Sequence, residues 1–384
     1  MWISELKLEN WRNFTKVEVH LTPRVFLIGP NASGKSNFLE AIRFLRELVI
    51  PGGGFQKAVS DRGGISKIRC LAARRRTDIG IEVALSTDDR QTLPNWRYQI
   101  SFNRDKNRNP VLKKEKVWKE DTVILERPQP EDEDDPARLS QTALEQINEN
   151  KNFREIADFF TTIFYFHLVP QLIRKPGYFS PSPIPDDPFG SDFLERLGQT
   201  PEKMRRSRLN KIGSALKSAV PHLKNLEWKR DDRGAPHLSG KYQHWRPRGA
   251  EQNEAEFSDG TLRLIGLLWS LFEGEGPLLL EEPELSLHPA IVRHLAPLIY
   301  RLERTRKRQV RQVIISTHSP ELLSDPGIGG EETLLLIPQA GGTEVKPASS
   351  HHAIRALLES GLTVNEAALP YTEPPKSKQL SLFR

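Results

Sequence analysis

Gly29-Pro30-Asn31-Ala32-Ser33-Gly34-Lys35-Ser36 constrains this 384-residue chain more than any other stretch. Two glycines separated by four residues and followed by Lys and Ser fit the phosphate-binding loop pattern. The flanks agree with it. Arg24 to Ile28 (RVFLI) reads as a buried strand, and Asn37 to Val49 carries Phe38, Ile42, Leu45 and Leu48 at helical spacing. In a strand, loop, helix order the loop N–H groups and the helix start can surround phosphate oxygens. Lys35 can then reach the β and γ phosphates, and the Ser36 hydroxyl can bind Mg²⁺.

The rest of the chain reads as parts brought to that loop. Trp2 to Glu9 and Phe14 to Leu21 alternate apolar and polar residues, so they are strands joined by Asn10-Trp11-Arg12-Asn13, with Arg12 in the loop. Several strand-like runs between Ile79 and Arg127 predict an antiparallel sheet. Pro130 to Pro136, with five acidic residues between the prolines, reads as a solvated loop. Helical patterns follow at Ala137 to Ile163 and Pro201 to Ala219, with a Pro-rich segment, Ser180 to Pro188, between them. Composition therefore divides the chain into a β-rich lobe with the loop (1–130), a mainly helical insertion (131–250), a second half of a nucleotide-binding core (251–370) and a tail (371–384).

Composition narrows the setting. Cys70 is the single cysteine, which excludes an internal disulfide framework and suits a reducing cytoplasm. No run approaches the roughly 18 apolar residues of a membrane span, and Met1-Trp2-Ile3-Ser4-Glu5 lacks signal-peptide character, so a cytoplasmic protein without a membrane partner is expected. A formal charge of +6 permits contact with nucleic acid. Basic clusters stand at Arg74 to Arg76, at Lys203 to Arg208 and at Arg301 to Arg311; they read either as solvated helix faces or as a phosphate-backbone surface.

Carboxylates and a histidine recur where the chemistry needs them. Glu281 and Glu282 follow the apolar run Leu278-Leu279-Leu280; Glu281 reads as a Mg²⁺-shell residue, through water, and Glu282 as the residue that polarises the attacking water. The usual first residue of that pair is Asp. His318 follows the strand ending at Ser316, on the edge where a γ-phosphate would lie if the sheet is parallel. Phe257-Ser258-Asp259-Gly260-Thr261 opens a helix, with Ser258 or Asp259 as its cap, and a helix start can also hold an anion.

GPNASGKS, SDGTLR, LLLEEPELSLHP and STHSP, in this order, resemble the motifs of ABC-type ATPase heads of the SMC, RecF and OLD-like group, and LENWRNF is similar to their opening strands. The resemblance covers both ends of the chain, while Gly52 to Ala255 matches loosely. It implies an α/β P-loop ABC-type ATPase head: a mixed sheet core, an antiparallel β layer and a mainly helical insertion. It implies ATP and Mg²⁺ as cofactors, with Gly29, Pro30, Asn31, Ala32, Ser33, Gly34, Lys35, Ser36 and Asn37 on the nucleotide, Arg12 touching it, and Lys35, Glu282 and His318 in catalysis. It further implies a homodimer in which Ser258 and Gly260 of one copy face the γ-phosphate held by the other, with Leu285 to His288 along the seam. Gln56 and Gln171 are the candidates for a Mg²⁺-loop glutamine. Fewer than seventy residues follow Ser319, so a fused TOPRIM-like nuclease is not expected.

The expected function is an ATPase that couples ATP-driven dimerisation to DNA or to a partner in genome maintenance. Two alternatives stay open: the ATPase subunit of an anti-phage defence system with a separately encoded effector, and an ATP-dependent scaffold that does not hydrolyse. Gln379-Leu380-Ser381-Leu382-Phe383 resembles the peptide by which bacterial repair proteins dock on the DNA sliding clamp; a tail packed on its own domain is the other reading.

Overall fold

The computed structural model describes residues 1–73, 77–87, 94–175, 187–243, 250–305 and 311–372, with backbone only for 302–305. Fifteen strands are described: β1 (Trp2–Trp11), β2 (Phe14–His20), β3 (Arg24–Ile28), β4 (Ile79–Ser86), β5 (Trp96–Arg104), β6 (Pro110–Lys119), β7 (Thr122–Arg127), β8 (Phe164–Phe166), β9 (Leu223–Arg230), β10 (Pro236–Tyr242), β11 (Ala250–Asn253), β12 (Leu278–Glu281), β13 (Val313–Ser316), β14 (Thr333–Gln339) and β15 (Gly342–Pro347). They fall into two compact units. Unit 1 comprises Met1–Phe164, Glu275–Leu279 and Arg306–Arg384; unit 2 comprises Tyr165–Gly274 and Leu280–Thr305.

Unit 1 holds an antiparallel sheet of order β2-β1-β4-β5-β6-β7. Alternation sets its faces: in β5, Trp96, Tyr98, Ile100 and Phe102 are buried while their neighbours are half-buried. The second sheet has the order β15-β14-β3-β13-β12-β8. β3 and β13 run parallel, and all their residues are buried, as expected of strands covered on both faces. β14 is also parallel to β3, and β15 returns as a hairpin. β12 and β8 begin in unit 1, at Leu278 and Phe164, and the chain runs on from each into unit 2.

Helix α1 (Lys35–Val49) leaves the phosphate loop and buries Phe38, Leu39, Ile42, Phe44, Leu45 and Leu48. Phe44 meets Trp11 of β1 edge-on and stacks on Phe102 of β5, with ring centroids 5.4 and 5.5 Å apart. These contacts fix the helix against the antiparallel sheet.

The acidic run differs from the solvated loop expected of it. Pro130–Asp134 is a short helix closed by a capping box in which Asp132 answers Gln129. Asp132 is 1% exposed and Arg127 donates to it at 2.7 and 3.0 Å. Arg127 also reaches Glu115, which is fully buried and accepts from Tyr98 and from the Ala143 and Leu144 amides. Burial pushes the Glu115 carboxyl up, and those donors oppose the shift. The Arg127 hydrogen bond holds Asp132 below the usual carboxylate range. This cluster ties the segment after β7 to the sheet.

The stretch 131–250 is not mainly helical throughout. Helices Phe193–Gln199 and Glu202–Leu216 are followed by an antiparallel sheet of order β11-β10-β9, all in unit 2. The composition break at Pro130 lies inside unit 1, whereas the units divide at Phe164 and Tyr165. Among the described residues no helix is long and apolar enough to cross a membrane.

Candidate functional site

In unit 1 the phosphate loop leaves the carboxyl end of β3. Gly29 admits no side chain, because a Cβ there would lie 2.6 Å from the Leu336 carbonyl oxygen and 2.7 Å from Ser33 Oγ. Gly34 has φ 100°, a left-handed conformation that glycine adopts without strain, and Ala32 shares the region at φ 63°. Lys35 is 7% exposed, and its ammonium donates to the Gly29 carbonyl at 3.0 Å and the Pro30 carbonyl at 3.3 Å. Ser36, Asn31 and Ala32 are exposed. The Ser33 hydroxyl is fully buried and meets no hydrogen-bond partner among the described residues. A buried orphan hydroxyl beside a lysine in a glycine-walled cradle fits a phosphate group.

His318 follows β13, which pairs with β3 in parallel register, Ser316 opposite Leu27; the Thr317 amide donates to the Leu27 carbonyl at 3.1 Å. Loop and histidine therefore leave the same edge of the sheet. Arg12 sits in the tight β1–β2 turn with φ 52°. Its Nη1 donates to the Lys67 carbonyl at 2.9 Å, and burial lowers its pKa, with Arg62 adding and Glu40 opposing. Asn37 donates to Asn13, and its carbonyl accepts from the Trp11 indole at 2.8 Å. Gln56 is occupied by the Pro110 and Ser140 carbonyls.

In unit 2, Ser258 caps the helix Asp259–Phe272, accepting from the Thr261 amide at 3.2 Å. Gly260 is required by packing: a Cβ would stand 2.5 Å from the Ser286 carbonyl oxygen. Asp259 pairs with Arg174 at 2.6 Å and accepts from Gln171 at 3.3 Å. Glu281 ends β12, where its carboxylate accepts from the Tyr165 hydroxyl and its carbonyl lies 3.2 Å from His167 Nδ1. Glu282 has φ 43°, a costly conformation for a residue other than glycine. Arg263, on the Asp259–Phe272 helix, feels both Asp259 and Glu282; burial lowers its pKa, and the two carboxylates oppose that. His288 caps the next helix, its Nδ1 accepting from the Ala290 amide.

Several of these residues escape sequence reasoning. Asn13 lies in LENWRNF and Arg263 ends SDGTLR, yet nothing in either string distinguishes them from their neighbours; Tyr165 and Arg174 carry no local signal at all. The basic clusters divide differently from a free surface. Arg205 donates to the Leu197, Gly198 and Thr200 carbonyls and lies 4.3 Å over Trp228, while Arg208 lies over Trp269. Buried Arg311 donates to the Gly276 carbonyl. Arg74 to Arg76, Arg306 to Arg308, most of Ser180 to Pro188 and Gln379 to Phe383 lie outside the described residues.

Residues 24–324 match the family model described as "AAA domain, putative AbiEii toxin, Type IV TA system". DNA replication and repair protein RecF of Streptococcus uberis is 36% identical over 106 residues, 20% of this chain and 29% of that one. Endonuclease GajA of Bacillus cereus is 39% identical over 67 residues, 17% of this chain and 12% of that one. The matched stretches thus span 29% and 12% of those relatives' lengths. Among solved structures, an SMC head bound to the C-winged helix domain of ScpA superposes with a TM-score of 0.54 at 14% identity, covering 90% of this chain and 97% of that one. An Smc head with a coiled coil and joint from Pyrococcus yayanosii gives 0.51 at 12% identity, covering 94% and 99%. At such identities the likeness is one of fold.

Proposed function

This chain belongs to the AAA domain family whose model spans residues 24–324 and has the fold of an ABC-type ATPase head of the SMC, RecF and OLD-like group, and from that premise we propose that it binds and hydrolyses ATP. The observation that carries the reading is the phosphate loop itself, with its two side-chain-free positions, the lysine beside it and the buried, unpartnered Ser33 hydroxyl. Lys35 and residues Gly29 to Asn37 serve the phosphates, and Arg12 the nucleotide.

Ser36 and Glu281 serve the metal. Both offer hard oxygen donors, and among the described residues no group of three or more His, Cys, Asp or Glu could hold an ion by itself. That donor set suits Mg²⁺, which keeps waters and takes one or two protein oxygens alongside phosphate. When bound, Mg²⁺ neutralises charge on the phosphate oxygens. Glu282 orients and polarises the attacking water, and His318 approaches the γ-phosphate from the edge of the parallel strands. Two copies join through their ATP sites, each offering Ser258 and Gly260 to the phosphate held by the other.

The cycle is proposed to grip DNA or control a partner in genome maintenance. A second reading is favoured by the toxin–antitoxin description of the family and by the match to an endonuclease: an ATPase that switches a separate effector in anti-phage defence. A third, an ATP-dependent scaffold without hydrolysis, draws on Glu281 standing where such heads carry Asp.

Nucleotide titration and phosphate release test the proposal. The wild-type chain should bind ATP·Mg²⁺ and release phosphate, and Lys35→Ala should lose binding. Wild-type binding without phosphate release would select the scaffold; no binding would reject the ATPase reading. Phosphate release that rises with DNA would favour the genome-maintenance role over the effector switch.

A further inference from the structure

We propose that Asn13 is a positioning residue for the phosphate loop, which it latches to the start of β15 in the β14–β15 hairpin. The claim rests on the nucleotide-binding reading above and goes beyond it.

Asn13 occupies the two-residue turn between β1 and β2, where Trp11 pairs with Phe14. Its Nδ2 donates to the Ser33 carbonyl and to Thr343 Oγ1, both at 2.7 Å. Its Oδ1 accepts from Asn37 Nδ2 at 2.8 Å, and its backbone carbonyl accepts from the Thr343 amide at 2.8 Å. One side chain thus joins the loop, the first turn of α1 and a hairpin more than 300 positions away. All these residues lie in unit 1.

Two glycines give way to this one residue. A Cβ on Gly34 would lie 2.2 Å from Asn13 Nδ2 and 2.4 Å from its Oδ1; a Cβ on Gly342, which has φ 117°, would lie 2.9 Å from the Asn13 carbonyl oxygen. Gly34 therefore serves the packing of Asn13 as well as its own left-handed backbone.

The chemistry selects asparagine. Two donors on one atom and an acceptor on the next are required in a short side chain; aspartate has no donor, and glutamine is a methylene too long. The consequence for the loop follows from the peptide plane. In a trans peptide the carbonyl and the following N–H point in opposite directions, so pinning the Ser33 carbonyl toward Asn13 turns the Gly34 N–H away from it, into the loop. Asn13 touches no nucleotide in this scheme; it sets where one loop donor points. By linkage, whatever the hairpin does for the loop, an occupied loop does for the hairpin.

The test uses the full chain as wild type, Asn13→Ala, Thr343→Val and Thr343→Ser. Hydrogen exchange is followed at residues 31–37 and 339–343, and a fluorescent ATP analogue with Mg²⁺ is titrated. Thr343→Val keeps the shape of the side chain and removes one hydrogen-bond partner, so the analogue should bind about three- to tenfold more weakly, and Thr343→Ser should bind as wild type. Asn13→Ala should lose more than tenfold. Without nucleotide, amides 31–37 should exchange faster in Asn13→Ala and Thr343→Val than in wild type or Thr343→Ser. With ATP, the wild-type turn at 339–343 should become protected, and Asn13→Ala should lose that protection. Unchanged loop exchange in Thr343→Val would overturn the latch even if Asn13→Ala fails to fold. A wild-type chain that binds no analogue would reject the nucleotide reading alone, because the exchange comparison without nucleotide still decides the latch.

Discussion

Gly260 shows how one hydrogen atom can decide a site. Its missing side chain lets the Ser286 carbonyl approach a point 2.5 Å from where a Cβ would stand, and Ser286 itself is left-handed at φ 62°. The obstruction is backbone, so no rotamer change relieves it. Gly260→Ala should cost about 1–3 kcal/mol in urea unfolding, the usual range for overpacking. The glycines at 29, 34 and 260 are all legible in the sequence because their motifs demand them. What each glycine makes room for is not. Leu336 over Gly29, Asn13 beside Gly34 and Ser286 over Gly260 come from distant positions, and no local pattern carries them.

Charge and alternation mislead at the level of elements, for physical reasons that can be named. Pro130 to Pro136 reads as solvated because acidic side chains usually are; Asp132 is buried because Arg127 and the helix cap satisfy it. Arg127→Met would leave Glu115 buried without its cation and Asp132 with Arg138 alone, 3.3 Å away, and should lower unfolding stability by about 3–5 kcal/mol. The β9 strand was illegible for another reason. Its buried residues are Leu223 and Leu226, a helical spacing, because the pairing with β10 slips at Ser239/Lys241 and Asn225 turns left-handed at φ 53°. A bulge of that kind resets the alternation on which strand reading depends.

The same sheet carries a pH dependence. His237 bonds to Glu254 at 2.7 Å and lies 3.5 Å from Asp231, and the Glu254 bond raises its pKa against the effect of burial. A histidine raised on folding stabilises fully below its unfolded value, about 6.5, and that contribution fades as pH climbs through the folded value. Melting temperature should therefore fall over that interval in the wild-type chain, and His237→Gln should remove the fall.

For the whole molecule, the order of the motifs was legible because each carries its own local chemistry: loop, helix cap, carboxylates after a strand, histidine after the next. The division into units was not, because β8 and β12 each begin in one unit and continue into the other, a feature of topology without a compositional edge. The proposal that ATP joins two copies draws on the phosphate loop in unit 1 and the serine-capped helix in unit 2. Glu282→Gln keeps the volume of the side chain and removes the carboxylate that would polarise water, so ATP should persist and hold the copies together. The decisive measurement is the mass of Glu282→Gln by light scattering during size exclusion, with and without ATP·Mg²⁺. The account predicts one chain without nucleotide and two with it, and no such change in Lys35→Ala; a Glu282→Gln chain that binds ATP yet keeps the mass of one copy would contradict it.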